Sequence, residues 1–283
     1  QTFAPRIFER LSLLGMYRPF GGPLEIGLSE SLRVDHYVQS ELSRGRSFQN
    51  DIALWGAYKM LPQTQLKLEV RSSWTSFYGD GAVIPNSAPL RITGGIQSLL
   101  FPWLGASLYV GYGNSLHYGL FDTTQLVGDT SSYRYNNFVG GLEARLLLVP
   151  RMNLRAGWAR DFFDSIYAIY LRDDRLYVAY EHNPWRSLWL SAGFETYLRV
   201  YGPLVAPSTL YYRAYKNGAT TRSDTLFALN VDASYRPLSW LQAGISYNLL
   251  ADVTDFGFVD GAGTRMDAGF LKHVVLFKAD LSY

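Results

Sequence analysis

Residues 235–247 read YRPLSWLQAGISY and contain the pattern that recurs along the whole chain. An alternating run ends at Pro237, a few residues turn, and a second alternating run begins at Leu241. Proline lacks an amide hydrogen and has a fixed φ, so it suits a tight turn and would damage a central strand. This stretch therefore predicts a β-hairpin with a short connection.

The same pattern occurs around Pro62, Pro102, Pro150 and Pro184. Between these short turns lie longer segments rich in Gly, Asp, Asn and Ser, a composition typical of loops. The long loops are expected at 38–47, 79–88, 120–132, 164–173, 202–223 and 255–268. Six long loops and five short turns require twelve strands, with both chain ends on the short-turn side.

Each predicted strand has an apolar and a polar face. In residues 241–252, apolar side chains at odd positions alternate with polar or small ones at most even positions. The runs span about 10–14 residues, whereas strands of soluble proteins average about 5–6, and this length suits a tilted strand that crosses a bilayer. Residues 92–121 lack Asp, Glu, Lys and Arg, but Pro102 and the period of two predict a hairpin there rather than a transmembrane helix.

The composition limits the class of protein. Aromatic residues make up 16% of the 283 residues, charged residues make up 18%, and the formal net charge is +2. Such a small, dispersed charge argues against a nucleic-acid partner. The chain has no Cys, which agrees with export through an oxidising compartment. No charged-then-apolar leader opens it, so we expect that a signal peptide has already been removed.

Several tryptophans lie beside the predicted short turns. Tryptophan has an apolar body and a polar tip, and it favours the boundary between membrane and water. We therefore expect an interfacial girdle formed by Trp103, Trp185, Trp189 and Trp240.

Pro-Trp and Pro-Leu-Ser-Trp turns, alternating strands and a C-terminal aromatic residue, Tyr283, occur together in this chain. In these features residues 24–283 resemble the outer-membrane β-barrel proteins of Gram-negative bacteria. The resemblance implies an all-β, closed antiparallel transmembrane barrel of about twelve strands, with short periplasmic turns and longer extracellular loops, in the outer-membrane bilayer. It also implies that the barrel-assembly machinery recognises the C-terminal strand. The alternation by itself is also compatible with a soluble β-sandwich.

The polar faces of the strands are expected to line the barrel lumen. The charges on these faces have both signs, so they could brace the wall, or the arginines could form a basic stripe for anionic solutes. The candidate lining residues are Arg71, Arg91, Glu143, Arg145, Arg155, Glu195, Arg199, Asp232 and Lys272. The stripe would comprise the arginines at 71, 91, 145 and 155.

Residues 1–23 do not fit the strand pattern. Phe3, Ile7, Phe8 and Leu11 have loosely helical spacing, and Pro and Gly residues close the segment before residue 24. We therefore expect a separate N-terminal extension. It would be a lumen plug, a periplasmic arm that binds a partner, or a short interfacial helix.

The sequence favours a narrow, polar-lined passive channel for small hydrophilic solutes, filtered by the charges of the lumen. Small residues at 105, 107, 111, 113 and 115 are expected to leave free volume along one wall. The alternative is a non-conducting barrel that anchors an envelope-spanning assembly, or presents loops to a surface or periplasmic partner. Ser115 and His117 share a strand face, but no catalytic or metal motif accompanies them. The chain is therefore expected not to be an enzyme and to need no cofactor or metal.

Overall fold

A computed structural model describes residues 6–38, 46–78, 86–118, 126–127, 134–165, 168–205, 222–254, 256–259 and 265–281. The strands are β1 (Arg6–Tyr17), β2 (Leu24–Tyr37), β3 (Ser47–Leu61), β4 (Thr64–Phe77), β5 (Asn86–Ser87), β6 (Leu90–Phe101), β7 (Leu104–Asn114), β8 (His117–Tyr118), β9 (Leu126–Val127), β10 (Asn136–Leu146), β11 (Met152–Asp164), β12 (Tyr170–Trp185), β13 (Leu188–Tyr201), β14 (Leu204–Val205), β15 (Ser223–Leu238), β16 (Leu241–Thr254), β17 (Gly257–Val259), β18 (Arg265–Asp267) and β19 (Phe270–Leu281). A 3-10 helix, Pro19–Gly21, precedes β2. None of the helical structure in these ranges is long and apolar enough to cross a membrane.

One antiparallel sheet of fifteen strands dominates the fold. Two of them, β5 and β8, lie off the main path, which leaves thirteen strands in the order β1-β2-β3-β4-β6-β7-β10-β11-β12-β13-β15-β16-β19. Each strand of this path pairs with the next one in the chain, so the sheet is a meander. Two small sheets, β9 with β14 and β17 with β18, are formed by segments between the long strands.

The predicted all-β antiparallel class is confirmed, but the count of twelve strands is wrong. The difference comes from β1, which pairs with β2 from Arg6 opposite Tyr37 to Tyr17 opposite Ile26. The expected break at residue 23 therefore has no counterpart in the sheet. Because β1 runs from the long-loop end to the short-turn end, residue 6 lies on the opposite side from that expected for the N-terminus.

The expected helical plug or arm is a strand in this structure. Ile7, Phe8 and Leu11 lie on β1, and Phe3 lies outside the described residues. The side chains of residues 7–17 of β1 are exposed, on both faces of the strand. A strand with neither face buried does not need to alternate apolar and polar residues, so its sequence lacks the period of two.

The five predicted short turns connect neighbouring long strands. Pro184 and Pro237 lie near the ends of β12 and β15, where the pairing register shifts between His182 and Trp185 and between Tyr235 and Leu238. A bulge frees one residue from the ladder, so a proline without an amide hydrogen is tolerated there. The proline pattern therefore located the turns correctly.

The apolar face of the sheet is not covered by protein. Leu68 is 71% exposed, Val110 58% and Phe277 82%, and many other large apolar residues of this face are also exposed. An apolar surface of this extent marks a membrane or protein interaction surface. The buried apolar clusters of the described residues are small and lie at the long-loop end, around Phe162 and Tyr201.

Candidate functional site

The charged candidates from the sequence lie on a single face of the sheet, called here the polar face. Paired residues of an antiparallel sheet project to the same side. Arg91 pairs with Gly113, Glu143 with Ser107, and Arg145 with Arg155. The pairings of the remaining strands extend this assignment from one strand to the next. They place the other five candidates on the same face: Arg71, Glu195, Arg199, Asp232 and Lys272.

Side-chain contacts across intervening strands show that the polar face is concave. Arg91 on β6 donates from Nε to Oδ1 of Asp161 on β11 at 2.7 Å, although β7 and β10 lie between these strands. In a flat sheet, three strand spacings would separate the two backbones by about 14 Å. The hydroxyl of Tyr177 on β12 likewise donates to Glu143 on β10 at 2.6 Å, over β11.

Most charges of the polar face are paired with an opposite charge. Arg155 lies 2.8 Å from Glu181, Arg71 lies 2.7 Å from Glu69, and Arg199 forms two hydrogen bonds with Asp173. The same holds for Glu195, which pairs with Arg175, and for Asp232, which pairs with Lys278. Three of the four arginines expected to form a basic stripe therefore have an acidic partner, and Arg71 shares its partner Glu69 with Lys67. In the part of the chain that the structure describes, Arg145 and Lys272 have no ion pair.

Three cavities follow one another along the polar face. A cavity of about 730 Å³ at the long-loop end shares Arg71, Arg91 and Asp161 with a second one of about 330 Å³. The second shares Gln65, Gln97 and Ser107 with a third of about 280 Å³. The third reaches the short turn at Pro62 and includes Arg145 in its lining. The Arg91–Asp161 pair therefore lies where the first two cavities meet.

Part of the free volume expected from the glycines is filled by aromatic rings. A Cβ on Gly113 would lie 2.5 Å from a ring carbon of Phe162, and one on Gly157 would lie 2.6 Å from the hydroxyl of Tyr177. Tyr109 covers Gly141 in the same way, at 2.6 Å. These glycines admit a neighbouring ring rather than solvent, so the expectation of open space at residue 113 is wrong.

Phe162 is the element of the site that sequence reasoning missed. It is fully buried, stacks on Tyr135 at 4.4 Å, and lies 4.1 Å from the Arg91 guanidinium. Arg91 also donates to its backbone carbonyl. By alternation Phe162 belongs to the apolar face, but the pairing of β11 with β10 ends at Arg160. Beyond that point β11 remains paired with β12 but has no β10 neighbour, and the Phe162 ring extends into the resulting gap toward Gly113 and Val139.

Ser115 and His117 are both buried, but they do not form a pair. The Ser115 hydroxyl accepts a hydrogen bond from the backbone amide of Tyr135 at 2.8 Å. Neither ring nitrogen of His117 has a partner among the described residues. Burial, reinforced by the Arg134 guanidinium, lowers the pKa of His117 to about 4. His117 is therefore neutral at physiological pH.

Opposite His117 in the pairing of β5 with β8 lies Ser87, whose hydroxyl donates to Asp164 at the end of β11. Because β5 also pairs with β4 through Thr75, these contacts join three parts of the long-loop end. This buried polar cluster was not predicted, because its members are distant in the sequence.

The four tryptophans expected in the girdle are exposed, but they do not share one face. Trp103 lies in the β6–β7 turn and stacks on Phe101 at 5.4 Å, and Trp185 and Trp240 flank two other short turns. Trp189 pairs with Ser234 and projects to the polar face. No group of three or more potential metal ligands occurs in the ranges that the structure describes.

No family model and no curated protein matches the chain. Among solved structures it is similar to in-vitro folded OmpT, an outer membrane protein of Vibrio cholerae, with 10% identity over 98% of this chain and 96% of that chain and a TM-score of 0.37. It is also similar to outer-membrane expressed OmpT of Vibrio cholerae, with 11% identity, 98% and 95% coverage and a TM-score of 0.35. Similarity at this level carries no argument about function.

The all-β, antiparallel architecture implied by the resemblance stated from the sequence is confirmed. The expectation that the chain is not an enzyme is corrected. It depended only on the lack of a recognised catalytic motif in the sequence, and that lack does not exclude an enzyme.

Proposed function

We propose that the chain closes into a barrel in the bacterial outer membrane and forms a narrow, passive channel for small hydrophilic solutes. The observation that best supports a channel is the series of three cavities along the polar face, each of which shares lining residues with the next. A thirteen-stranded path also lies between the eight strands that side chains can fill and the sixteen or more of open porins. Such a barrel holds a conduit only where the lining side chains leave space.

The narrowest point of the proposed conduit is the Arg91–Asp161 ion pair. It bridges β6 and β11 at the junction of the first two cavities. Its two opposite charges cancel, as do most charges along the lining, so the channel would discriminate only weakly by the sign of a small ion. Selection would then depend mainly on solute size and hydrogen bonding.

The proposal includes the surroundings of the barrel. Trp103, Trp185 and Trp240 would lie at the interface near the short turns, whereas Trp189 would line the interior. We also assign the C-terminal strand β19, which ends the path of long strands, to recognition by the barrel-assembly machinery. Arg145 and Lys272 are exposed and have no ion pair with a described residue, so their charges would be available to solutes.

The proposal can be tested by blocking the conduit at the boundary of the second and third cavities. We expect purified protein in a planar bilayer to give steady single-channel currents, and Ser107→Trp to reduce the conductance several-fold. Val110→Trp is the matched control, because Val110 lies on the same strand but on the apolar face. It should conduct like the parent protein.

A correctly folded protein without current would contradict the channel and favour a non-conducting barrel that anchors an assembly or presents its loops. Equal conductance of Ser107→Trp and the parent would also contradict the assigned path.

A further inference from the structure

The apolar face has one charged cluster. On the eleven long strands from β3 to β19, alternation assigns four charged side chains to this face. Asp164, the last residue of β11, accepts a hydrogen bond from the Ser87 hydroxyl at the long-loop end, which leaves Arg160, Arg172 and Asp174. They are neighbours, because Arg160 on β11 pairs with Asp174 on β12. The other charged residues of these strands project to the polar face. A charge on a lipid-facing surface is costly, and it marks a functional site unless the structure around it explains it.

The cluster lies toward the long-loop end of the two strands. Arg160 is four residues from the end of β11, and Arg172 is the third residue of β12. A cationic side chain on the lipid face of a barrel costs about 2–4 kcal/mol at the bilayer centre and about 0–1 kcal/mol near the interface. In the proposed barrel, this position would place the two arginines at the depth of the headgroups of the outer leaflet.

Arg160 is held rigidly. It donates from Nε and Nη2 to the two carboxylate oxygens of Asp174 at 2.6 and 2.9 Å. Its guanidinium also lies 4.7 Å from the ring centre of Phe138 and 5.9 Å from that of Trp158. Asp174 is buried by these contacts, so its charge is used within the protein.

Arg172 is in a different situation. Its Nε lies 3.4 Å from Oδ2 of Asp174, which is within ion-pair distance. This nitrogen is buried and forms no hydrogen bond with a described residue. Its side chain is one-third exposed. Two guanidinium groups thus share one carboxylate, which leaves a net charge of +1 and unused donors at the protein surface.

We propose that Arg160 and Arg172 bind the phosphate of a phosphorylated lipid in the outer leaflet. A planar guanidinium fits phosphate oxygens with two parallel hydrogen bonds, and Arg172 has donors available for them. Phe138 and Trp158 would lie beside the acyl chains, as expected for aromatic residues at the interface. This inference depends on the membrane position of the barrel but not on whether it conducts.

The experiment compares lipid probes added to the purified protein in mixed detergent micelles. The probes are a short-chain phosphatidic acid, the diacylglycerol with the same chains, and inorganic phosphate. We expect phosphatidic acid to raise the unfolding temperature, whereas diacylglycerol and inorganic phosphate do not. A shift with diacylglycerol of equal size, or with inorganic phosphate alone, would overturn the assignment to a lipid phosphate.

Variants identify the residue responsible. Arg172→Gln should bind phosphatidic acid at least tenfold more weakly, measured from the unfolding shift against lipid concentration. Arg172→Lys keeps the charge and should retain part of the affinity. Arg71→Gln, on the polar face, is the matched control and should bind like the parent protein. Unchanged binding by Arg172→Gln would contradict the site, whatever the conductance of the protein.

Discussion

The two ends of the polar face are built differently. At the long-loop end, Phe162 is fully buried against Tyr135, Arg91 spans the concave face to Asp161, and Ser87 is bonded to Asp164. At the short-turn end, the lining is exposed and Arg145 has no ion pair with a described residue. Packing and cross-face contacts are thus concentrated at one end. The free energy of unfolding should therefore respond to substitutions there far more than at the opposite end.

The largest expected effect comes from Phe162→Ala. Removing a fully buried ring leaves a cavity between Tyr135 and the Arg91 guanidinium, and such a change lowers the free energy of unfolding by about 3–5 kcal/mol. Phe163→Ala is the matched control, because that neighbouring ring is about half exposed. Urea unfolding from lipid vesicles measures both. Equal losses for the two variants would show that the long-loop end is not the packed end.

The next effect is a loss of stability in acid. The folded protein keeps His117 neutral down to a pKa of about 4, whereas the unfolded chain binds the proton near its ordinary value of 6.5. The stabilising contribution is therefore complete above pH 6.5 and is lost as the pH falls toward 4. The loss amounts to at most about 3 kcal/mol.

His117→Gln removes the titrating ring and should flatten the dependence of the unfolding free energy on pH across this window. The measurement is urea unfolding at a series of pH values, with the parent protein run in parallel. An unchanged slope in the variant would assign the acid sensitivity to other groups.

A smaller effect is expected in the middle of the face, from Gly157→Ala. The new methyl group would meet the Tyr177 hydroxyl and the Leu142 carbonyl oxygen, each at 2.6 Å, so the backbone or the ring must move. Overpacking of this kind costs about 1–3 kcal/mol. Gly56→Ala is the control, because nothing lies within 4 Å of the added carbon. If both variants unfold at the same urea concentration, the position of the Tyr177 ring does not require a glycine at residue 157.

The faces of the strands could be predicted from the sequence, whereas the contacts across the concave face could not. Alternation is a local property, so it assigned Lys272 and Asp232 to the polar face without knowledge of the fold. The Arg91–Asp161 contact joins residues that are 70 positions apart, and it depends on how sharply the sheet curves. Curvature leaves no periodic signal in a sequence.

Two features that the sequence did not reveal, strand β1 and the packing of Phe162, have related causes. β1 was missed because both of its faces are exposed, so no side of the strand was selected to be polar. The packing of Phe162 was missed because alternation alone would leave its ring on the apolar face, whereas the ring fills the gap where β11 has no partner on its β10 side. Sequence periodicity is thus informative within a paired, one-sided strand and fails at edges and ends.

The most direct test of the proposed conduit is the ion selectivity of two variants at its narrowest point. Arg91→Gln leaves the Asp161 carboxylate unpaired, and Asp161→Asn leaves the Arg91 guanidinium unpaired. In a planar bilayer with a salt gradient, the first should shift the reversal potential toward cation selectivity and the second toward anion selectivity. Shifts of opposite sign would place the pair in the path of the ions. Currents with unchanged reversal potentials, or no current from the folded protein, would contradict the account.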